Sequence, residues 1–343
     1  MNDTGTYSAQ ELHRLAARLD ELSAEVRHLR ALTARPSWGQ WLRHQVRTTL
    51  GLRTHLGVLE FPVTHPPRPI YVPRWYHRTA GPRNPPLVTV VTPSFQQGRY
   101  LERTLKSVLD QNYPRLEYVV QDGGSTDSTG EVIDRYRNRL ARAEMRQDNG
   151  QSHAINLGFA GTTGEIMAYL NSDDLLLPGS LNAVTAYFEA HPEVDAVYGH
   201  RVVIDSGDNE MGRWVLPKHD PEVLKWADYV PQETLFWRRR LWDKVGGIDE
   251  SFRFAMDWDM LLRFQAAGAK IVRLPRFLGA FRVHRSSKTV TTVSDVGAEE
   301  MERLRERTHG REMSAAEVAA AVRSYLWRHT VLNRLYELGL VRH

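Results

Sequence analysis

The 343-residue sequence contains no cysteine. That absence excludes a disulfide scaffold, a cysteine nucleophile and any thiolate metal site, and it fits a reducing compartment. No apolar run approaches the roughly 20 residues needed to span a bilayer. The first ten residues, MNDTGTYSAQ, lack both the basic and the apolar region of a secretory signal. An excess of one charge is also missing: 45 Lys plus Arg against 41 Asp plus Glu leaves +4. These charges are mixed rather than gathered on one face, which argues against a nucleic-acid binder. Two phosphate-loop signatures are absent as well, since no G-x-G-x-x-G follows the first strand-like run and no G-x-x-x-x-G-K-[ST] occurs. The expectation is a soluble, cytoplasmic globular protein of about two domains, with a core that needs no metal or disulfide to fold.

What is present divides the chain into four stretches. In residues 1–36, Leu12, Leu15, Leu19, Leu22, Val26 and Leu29 recur at alternating steps of three and four before Pro36. That spacing fits an amphipathic or coiled-coil-like helix. Folding back on its own domain and homo-oligomerisation through residues 9–34 both remain open. Residues 37–86 form a linker rich in proline and aromatics. From 87 to 288, short β-branched runs (LVTVV at 87–91, LEYVV at 116–120, EIMAYL at 165–170, VDAVYG at 194–199) alternate with helical patterns at Arg99–Asp110, Ser128–Arg139, Gln151–Phe159 and Gly179–Ala190. This alternation predicts an α/β fold with a largely parallel central sheet flanked by helices. In the extension 289–343, Ser314 and Glu317 make a capping box and Gly339 a stop signal. The helix between them, with its apolar stripe of Val318, Val322, Tyr325, Leu332 and Tyr336, reads as a packing helix; its arginine rim also leaves partner docking or peripheral contact with the inner face of a membrane open.

Ligands of such sheets bind beyond the carboxyl ends of the strands, and three polar clusters fall there: TPSF at 92–95, QDGGSTDST at 121–129 and NSDD at 171–174. Each alone reads as a helix cap or turn. All three together are harder to explain so. Without a phosphate loop, a bound diphosphate needs another source of positive charge. Asp173 and Asp174 at a strand end could hold Mg²⁺ or Mn²⁺ for that purpose.

TPSF, VVQDGGSTD (119–127), NGQSHAINLGF (149–159), YLNSDD (169–174) and AMDWDMLLRF (255–264), in that order, resemble the inverting family 2 glycosyltransferases between Leu87 and Lys288. The resemblance implies the glycosyltransferase-A fold, with a nucleotide-binding half (87–175) and an acceptor half (176–288). It places Thr92, Pro93 and Ser94 at the nucleobase wall and Asp122 on the base, typically a uracil N3–H. Ser125 and Asp127 line the same pocket or cap the next helix, with capping favoured for Asp127. Gln151, Ser152 and His153 fall near ribose and diphosphate, Asn156 supports that surface or the fold, and Asn171 and Ser172 belong to the nucleotide site. The family's Asp-x-Asp reads Asn171-Ser172-Asp173 here, so Asp173 is the metal ligand, with His284 completing the shell. Asp257 matches the family's general base, although the preceding acid is Met256. Asp259 is read as structural. Asp174, Gln232, Glu233 and Trp237 (beside Phe236) are assigned to the sugar and acceptor, with Asp174 alternatively orienting Asp173 or capping the next segment and Trp237 alternatively a core residue, and Arg285 and Lys288 to the leaving diphosphate.

The resemblance thus implies transfer of a sugar from a nucleoside-diphosphate donor, most plausibly a UDP-sugar, to a hydroxyl acceptor such as a glycan, glycolipid or small metabolite. Asn171 and Met256, standing where the family has acids, motivate a second reading. In it the chain is a catalytically weak or silent nucleotide-sugar-binding or scaffolding protein that self-associates through its N-terminal helix.

Overall fold

The computed structural model describes residues 65–284 and 296–343. The heptad segment and the first part of the linker lie outside the described residues. In chain order the strands are β1 (Arg68–Pro69), β2 (Val88–Ser94), β3 (Leu116–Asp122), β4 (Arg142–Met145), β5 (Ile166–Tyr169), β6 (Leu175–Leu176), β7 (Ala196–Ile204), β8 (Asn209–Trp214), β9 (Phe236–Arg238) and β10 (Ile271–Arg282). They join in one sheet of order β1-β8-β7-β9-β5-β2-β3-β4, with β10 beside β7 and β6 beside β10.

The block β5-β2-β3-β4 is parallel throughout. Every residue of β2 is buried, as a parallel strand covered on both faces requires. On one face Leu101 and Leu105 of the helix Gly98–Leu109 meet Val132 and Ile133 of the helix Thr129–Tyr136 over Val88 and Val90. On the other, Ile155 and Phe159 of the helix Gln151–Phe159 lie against Val91 and Val119. Gly158 makes that second contact close: a Cβ there would sit 2.3 Å from a methyl of Val91. The expectation of a largely parallel sheet holds for this block and again for β10 beside β7, but not between them. β9 runs antiparallel to both β5 and β7, and β7 and β8 form a hairpin. A tight turn at Asp205–Asp208 replaces the crossover helix that a parallel connection needs.

The C-terminal helices pack on the same body. Leu304 of Ala298–His309, and Val322 and Tyr325 of Ala315–Glu337, enter the large core cluster. The long helix opens with the Ser314–Glu317 capping box. It closes with Gly339 in the left-handed conformation (φ 72°), where the Gly339 and Leu340 N–H groups bond the Tyr336 and Leu335 carbonyls. Among the described residues, no helix is long and apolar enough to cross a membrane.

This packing buries histidines. Burial pulls His219 and His329 down to about 4 and also lowers His200 well below the usual histidine range. At His329, Nδ1 lies 3.1 Å from the Val215 carbonyl while the Asn333 amide, 2.8 Å away, donates to Nε2. Asn333 is held in that orientation because its Oδ1 accepts the Val215 N–H. Between pH about 6.5 and 4 the unfolded chain therefore binds protons that the folded chain refuses, so stability falls as pH falls through this window. About 1–3 kcal/mol per buried histidine is the expected size. Thermal melts across that range should show the decline, and His329→Gln should flatten it.

Candidate functional site

The carboxyl ends of β2 and β3 are laced together by their own loops. Ser94 pairs with Asp122 in the sheet. The Asp122 carboxylate is fully buried. Its Oδ1 accepts the N–H groups of Gly124 (3.0 Å) and Ser125 (2.7 Å), and its Oδ2 accepts the Ser125 hydroxyl at 2.7 Å. Ser125 Oγ in turn accepts the Gln96 N–H, and Gln96 takes a left-handed φ of 54° to turn the first loop. Asp127 ties two helix starts: Oδ2 accepts the Gly98 N–H at 2.9 Å, and Oδ1 accepts from the N–H and hydroxyl of Thr129. Burial acts to raise its pKa, but these hydrogen bonds outweigh it and hold the carboxyl below the usual carboxylate range. The capping role expected for Asp127 is what the geometry shows.

The strand end presents two groups to this loop cluster. Ser94 Oγ is buried with no hydrogen-bond partner among the described residues, and Phe95 is exposed. Thr92, expected at a nucleobase wall, is fully buried with its hydroxyl 2.9 Å from Tyr118 Oη. It shares a face of β2 with Ser94 but sits two residues deeper in the strand, where Tyr118 takes up its hydroxyl, so it is not the open wall expected. Pro93 is buried as well.

Beyond β5 the chain makes a turn, with the Asp174 N–H on the Asn171 carbonyl. Asn171 is the centre of a chain of amides. Its Oδ1 accepts Gln151 Nε2 at 2.7 Å, its Nδ2 donates to Gln232 Oε1 at 3.1 Å, and Gln232 Nε2 donates to the Tyr169 carbonyl at 2.7 Å. An aspartate at 171 could accept but not donate, so the asparagine suits its neighbours. Ser172 is buried, and its carbonyl accepts the Thr104 hydroxyl. Asp173 is half-buried, with Oδ2 2.8 Å from His284 Nε2. The His284 ring leans on Tyr100, with centroids 4.7 Å apart.

Asp174 is different. It is fully buried, its Oδ1 accepts the Arg282 N–H, and burial, then Asp173 and Glu233, push its carboxyl well above the usual range. The assignment of Asp174 to the sugar is corrected: it fastens β10 to this loop. Gln232 is likewise engaged in the amide chain. Glu233 is buried in a bidentate pair with Arg201, at 2.7 and 2.6 Å. Trp237 is fully buried among Phe159, Tyr169, Trp242 and Phe264. It is a core tryptophan, not a sugar platform, because β9 faces it inward. Arg285 and Lys288 lie outside the described residues.

Asp257 occupies the first turn of the helix Met256–Ala266, half-buried, with Oδ1 accepting the Trp258 N–H at 2.9 Å. The turn before it is held from the C-terminal extension. Glu300 is buried and accepts the N–H groups of Arg253, Phe254 and Ala255 at 2.7–2.8 Å. Met256 is buried too, and Ser152 donates its hydroxyl to the Phe252 carbonyl (2.6 Å) and sits 3.1 Å from the Met256 sulfur. Ser152 therefore bridges two helices instead of reaching a ribose, which corrects its expected placement. His153 Nδ1 accepts the Asn149 N–H, and Asn156 pins the Ile248 backbone. Both are structural, as is Asp259, which binds Arg263 and Arg307.

Asp228 also belongs here. Burial first, and the Asp257 charge next, push its carboxyl well above the usual range. The buried Tyr169 hydroxyl is raised by burial and then by Asp257, Asp228 and Asp174. Asp257 is thus electrostatically close to the strand that leads into Asn171–Asp174. Asp122 lies on the far side of β2 from that strand, about two strand spacings or roughly 10 Å across.

Known proteins resemble the chain in sequence and in fold. The family model described as glycosyl transferase family 2 matches residues 89–247. That match spans just under half of the chain, which is similar to the family over those residues. An uncharacterised glycosyltransferase of Nostoc sp. is 28% identical over 227 residues, covering 62% of this chain and 70% of its own length. Chondroitin synthase of Pasteurella multocida is 28% identical over 186 residues, 53% of this chain but only 19% of that protein. Among solved structures, TarS 1–349 of S. aureus in complex with UDP-GlcNAc superposes with a TM-score of 0.55 at 18% identity, over 75% of this chain and 76% of that one. At that identity the likeness concerns the fold, which is the glycosyltransferase-A type.

Two residues of the site escape sequence reasoning. Phe95 could have been found, as an aromatic directly after a strand that ends in small polar residues. Asp228 carries no such signal, being one acid in an irregular stretch far from Asp257 in sequence.

Proposed function

We propose that the chain transfers a sugar from a nucleoside-diphosphate donor, a UDP-sugar, to an acceptor hydroxyl in one inverting displacement. What supports this reading is that Asp122 and the Asn171–Asp173 turn follow the two strands flanking β2 in one parallel block, and that the Asp257 charge acts on Tyr169 of the strand leading into that turn. Asp122 has three acceptor positions filled by Gly124 and Ser125. A carboxylate offers about four, which leaves one for a ring N–H of the base. The unpartnered Ser94 hydroxyl and the exposed Phe95 ring offer a hydrogen bond and a stacking face beside it.

The donor set of Asp173 and His284 fits a divalent cation of the Mg²⁺ or Mn²⁺ kind. Such ions are held by few protein ligands and complete their shell with water and phosphate oxygens. No group of three or more such ligands occurs among the described residues. When bound, the cation supplies positive charge for the departing diphosphate. In the transfer itself, the acceptor oxygen bonds to the anomeric carbon as the bond from that carbon to the diphosphate oxygen breaks. The nucleoside diphosphate leaves with that electron pair, and Asp257 takes the acceptor's proton.

Ligand binding to the native state raises its melting point, so a thermal-shift screen of UDP-, GDP- and TDP-sugars with and without Mn²⁺ tests the reading. The expected result is stabilisation by UDP-sugars, with the Mn²⁺-dependent part lost in Asp173→Asn. Donor hydrolysis measured alongside separates the readings. Stabilisation with no hydrolysis or transfer favours the silent binder, which the uncharged Asn171 and Met256 motivate. No stabilisation by any nucleotide sugar overturns both.

A further inference from the structure

Eight large apolar side chains are exposed among the described residues, and five of them fall on two neighbouring elements. Tyr71 (69% exposed) and Trp75 (51%) lie on the segment 68–78. Trp327 (63%), Leu338 (67%) and Leu340 (70%) lie on the outer face and end of the C-terminal helix. The two elements touch. Arg213 donates to the Tyr71 carbonyl at 2.6 Å and to the Tyr336 hydroxyl at 2.8 Å. Ile70, Val72, Leu332 and Tyr336 pack on one small core cluster with Tyr76 and Phe277.

Basic residues outnumber acidic ones around these side chains, although Glu210 pairs with Arg68 and Asp220 with Arg328. No acid occurs between Glu60 and Glu102, while Arg68, Arg74, Arg78, Arg83 and Arg99 do. From Val318 to His343 the only acid is Glu337, which pairs with Arg334, against four arginines in all. Arg74, Arg78, Arg323 and Arg342 are exposed. The helix terminus accentuates the apolar character. In its Gly339 motif the residue after glycine commonly tucks back onto the last turn, yet Leu340 projects into solvent.

We infer that this surface docks on the headgroup layer of an anionic phospholipid bilayer. Indole and phenol rings with arginines suit that layer, where one end of the side chain is apolar and the other wet. Basic charge supplies attraction to acidic lipids. The two terminal leucines separate this occupant from a polynucleotide, which could take the arginines and rings but offers no acyl phase for aliphatic side chains. Nothing in this inference depends on the catalytic roles proposed above.

Flotation of the full chain with vesicles of phosphatidylcholine plus phosphatidylglycerol, against vesicles of phosphatidylcholine alone, is the test. Binding is expected only to the anionic vesicles, weakening as salt rises. Leu338→Ser with Leu340→Ser, and separately Arg74→Glu with Arg342→Glu, should each weaken it at least about tenfold with the melting temperature unchanged. Because these side chains are exposed, loss of fold is not the expected confound, and Trp327→Ser provides a third, independent variant. The inference is overturned by a wild-type chain that does not bind anionic vesicles, or by variants that bind as well as wild type. It is equally overturned if the substitutions act by dissociating an oligomer, or if the chain prefers single-stranded RNA to the vesicles.

Discussion

Asp257→Asn is expected to reduce sugar transfer by about 10²–10⁴-fold, the usual contribution of a positioned general base, while nucleotide affinity stays within a few-fold of wild type. The substitution keeps shape and keeps an oxygen to accept the Trp258 N–H, so the start of the helix Met256–Ala266 should be undisturbed. Only the capacity to take a proton is lost. Asp257 also lies away from the Ser94–Asp122 end of the sheet where the base is assigned. Steady-state kinetics with donor titration by calorimetry would separate the two effects. Wild-type turnover in this variant would remove Asp257 from the chemistry and turn attention to Asp228, the carboxyl that shares its surroundings.

The largest stability effect should come from the pair beneath the site. Arg201 lies between the rings of Trp214 and Phe281, its guanidinium carbon 4.9 and 4.5 Å from their centroids, and binds Glu233 with both arms of the fork. Glu233→Ala leaves that guanidinium buried without its counter-charge, which costs about 3–5 kcal/mol. Arg201→Met leaves Glu233 unpaired near the buried Asp174 and should cost a similar amount. Exchanging both for apolar residues of like volume should recover most of the loss, because two desolvated charges are removed together. Denaturant midpoints of the two single variants and the double variant measure this directly. Additive losses in the double variant would show that the pair is not energetically coupled.

Neither partner of that pair carries a signal in the sequence. Arg201 sits in β7, where every residue is buried, and Glu233 falls where the family resemblance puts the acceptor pocket. What separates a ligand-binding acid from a structural one is the direction of its side chain and the charges facing it, and both come from other segments. The same holds for Thr92, Ser152, Asp174 and Trp237, each adjacent to a polar loop in sequence and each turned into the body of the protein. Glu300 is the reverse case. It lies in the extension that the family pattern does not reach, yet it holds the three backbone N–H groups preceding Met256.

Periodicity by itself determined the strands and helices of the nucleotide half. A parallel strand buried on both faces must be a short unbroken apolar run, and the helix covering it must repeat its apolar residues every three or four positions. The polar clusters at the strand ends were legible for the same reason, since they interrupt those runs. Tertiary structure alone decided which members of each cluster remain open to a ligand. Strand pairing places Asp122 and the Asn171–Asp174 turn along one edge, and helix packing turns Asp257 toward it. Contacts arriving from distant segments then occupy Asp174, Gln232 and Glu233, and a one-dimensional pattern carries no record of those contacts.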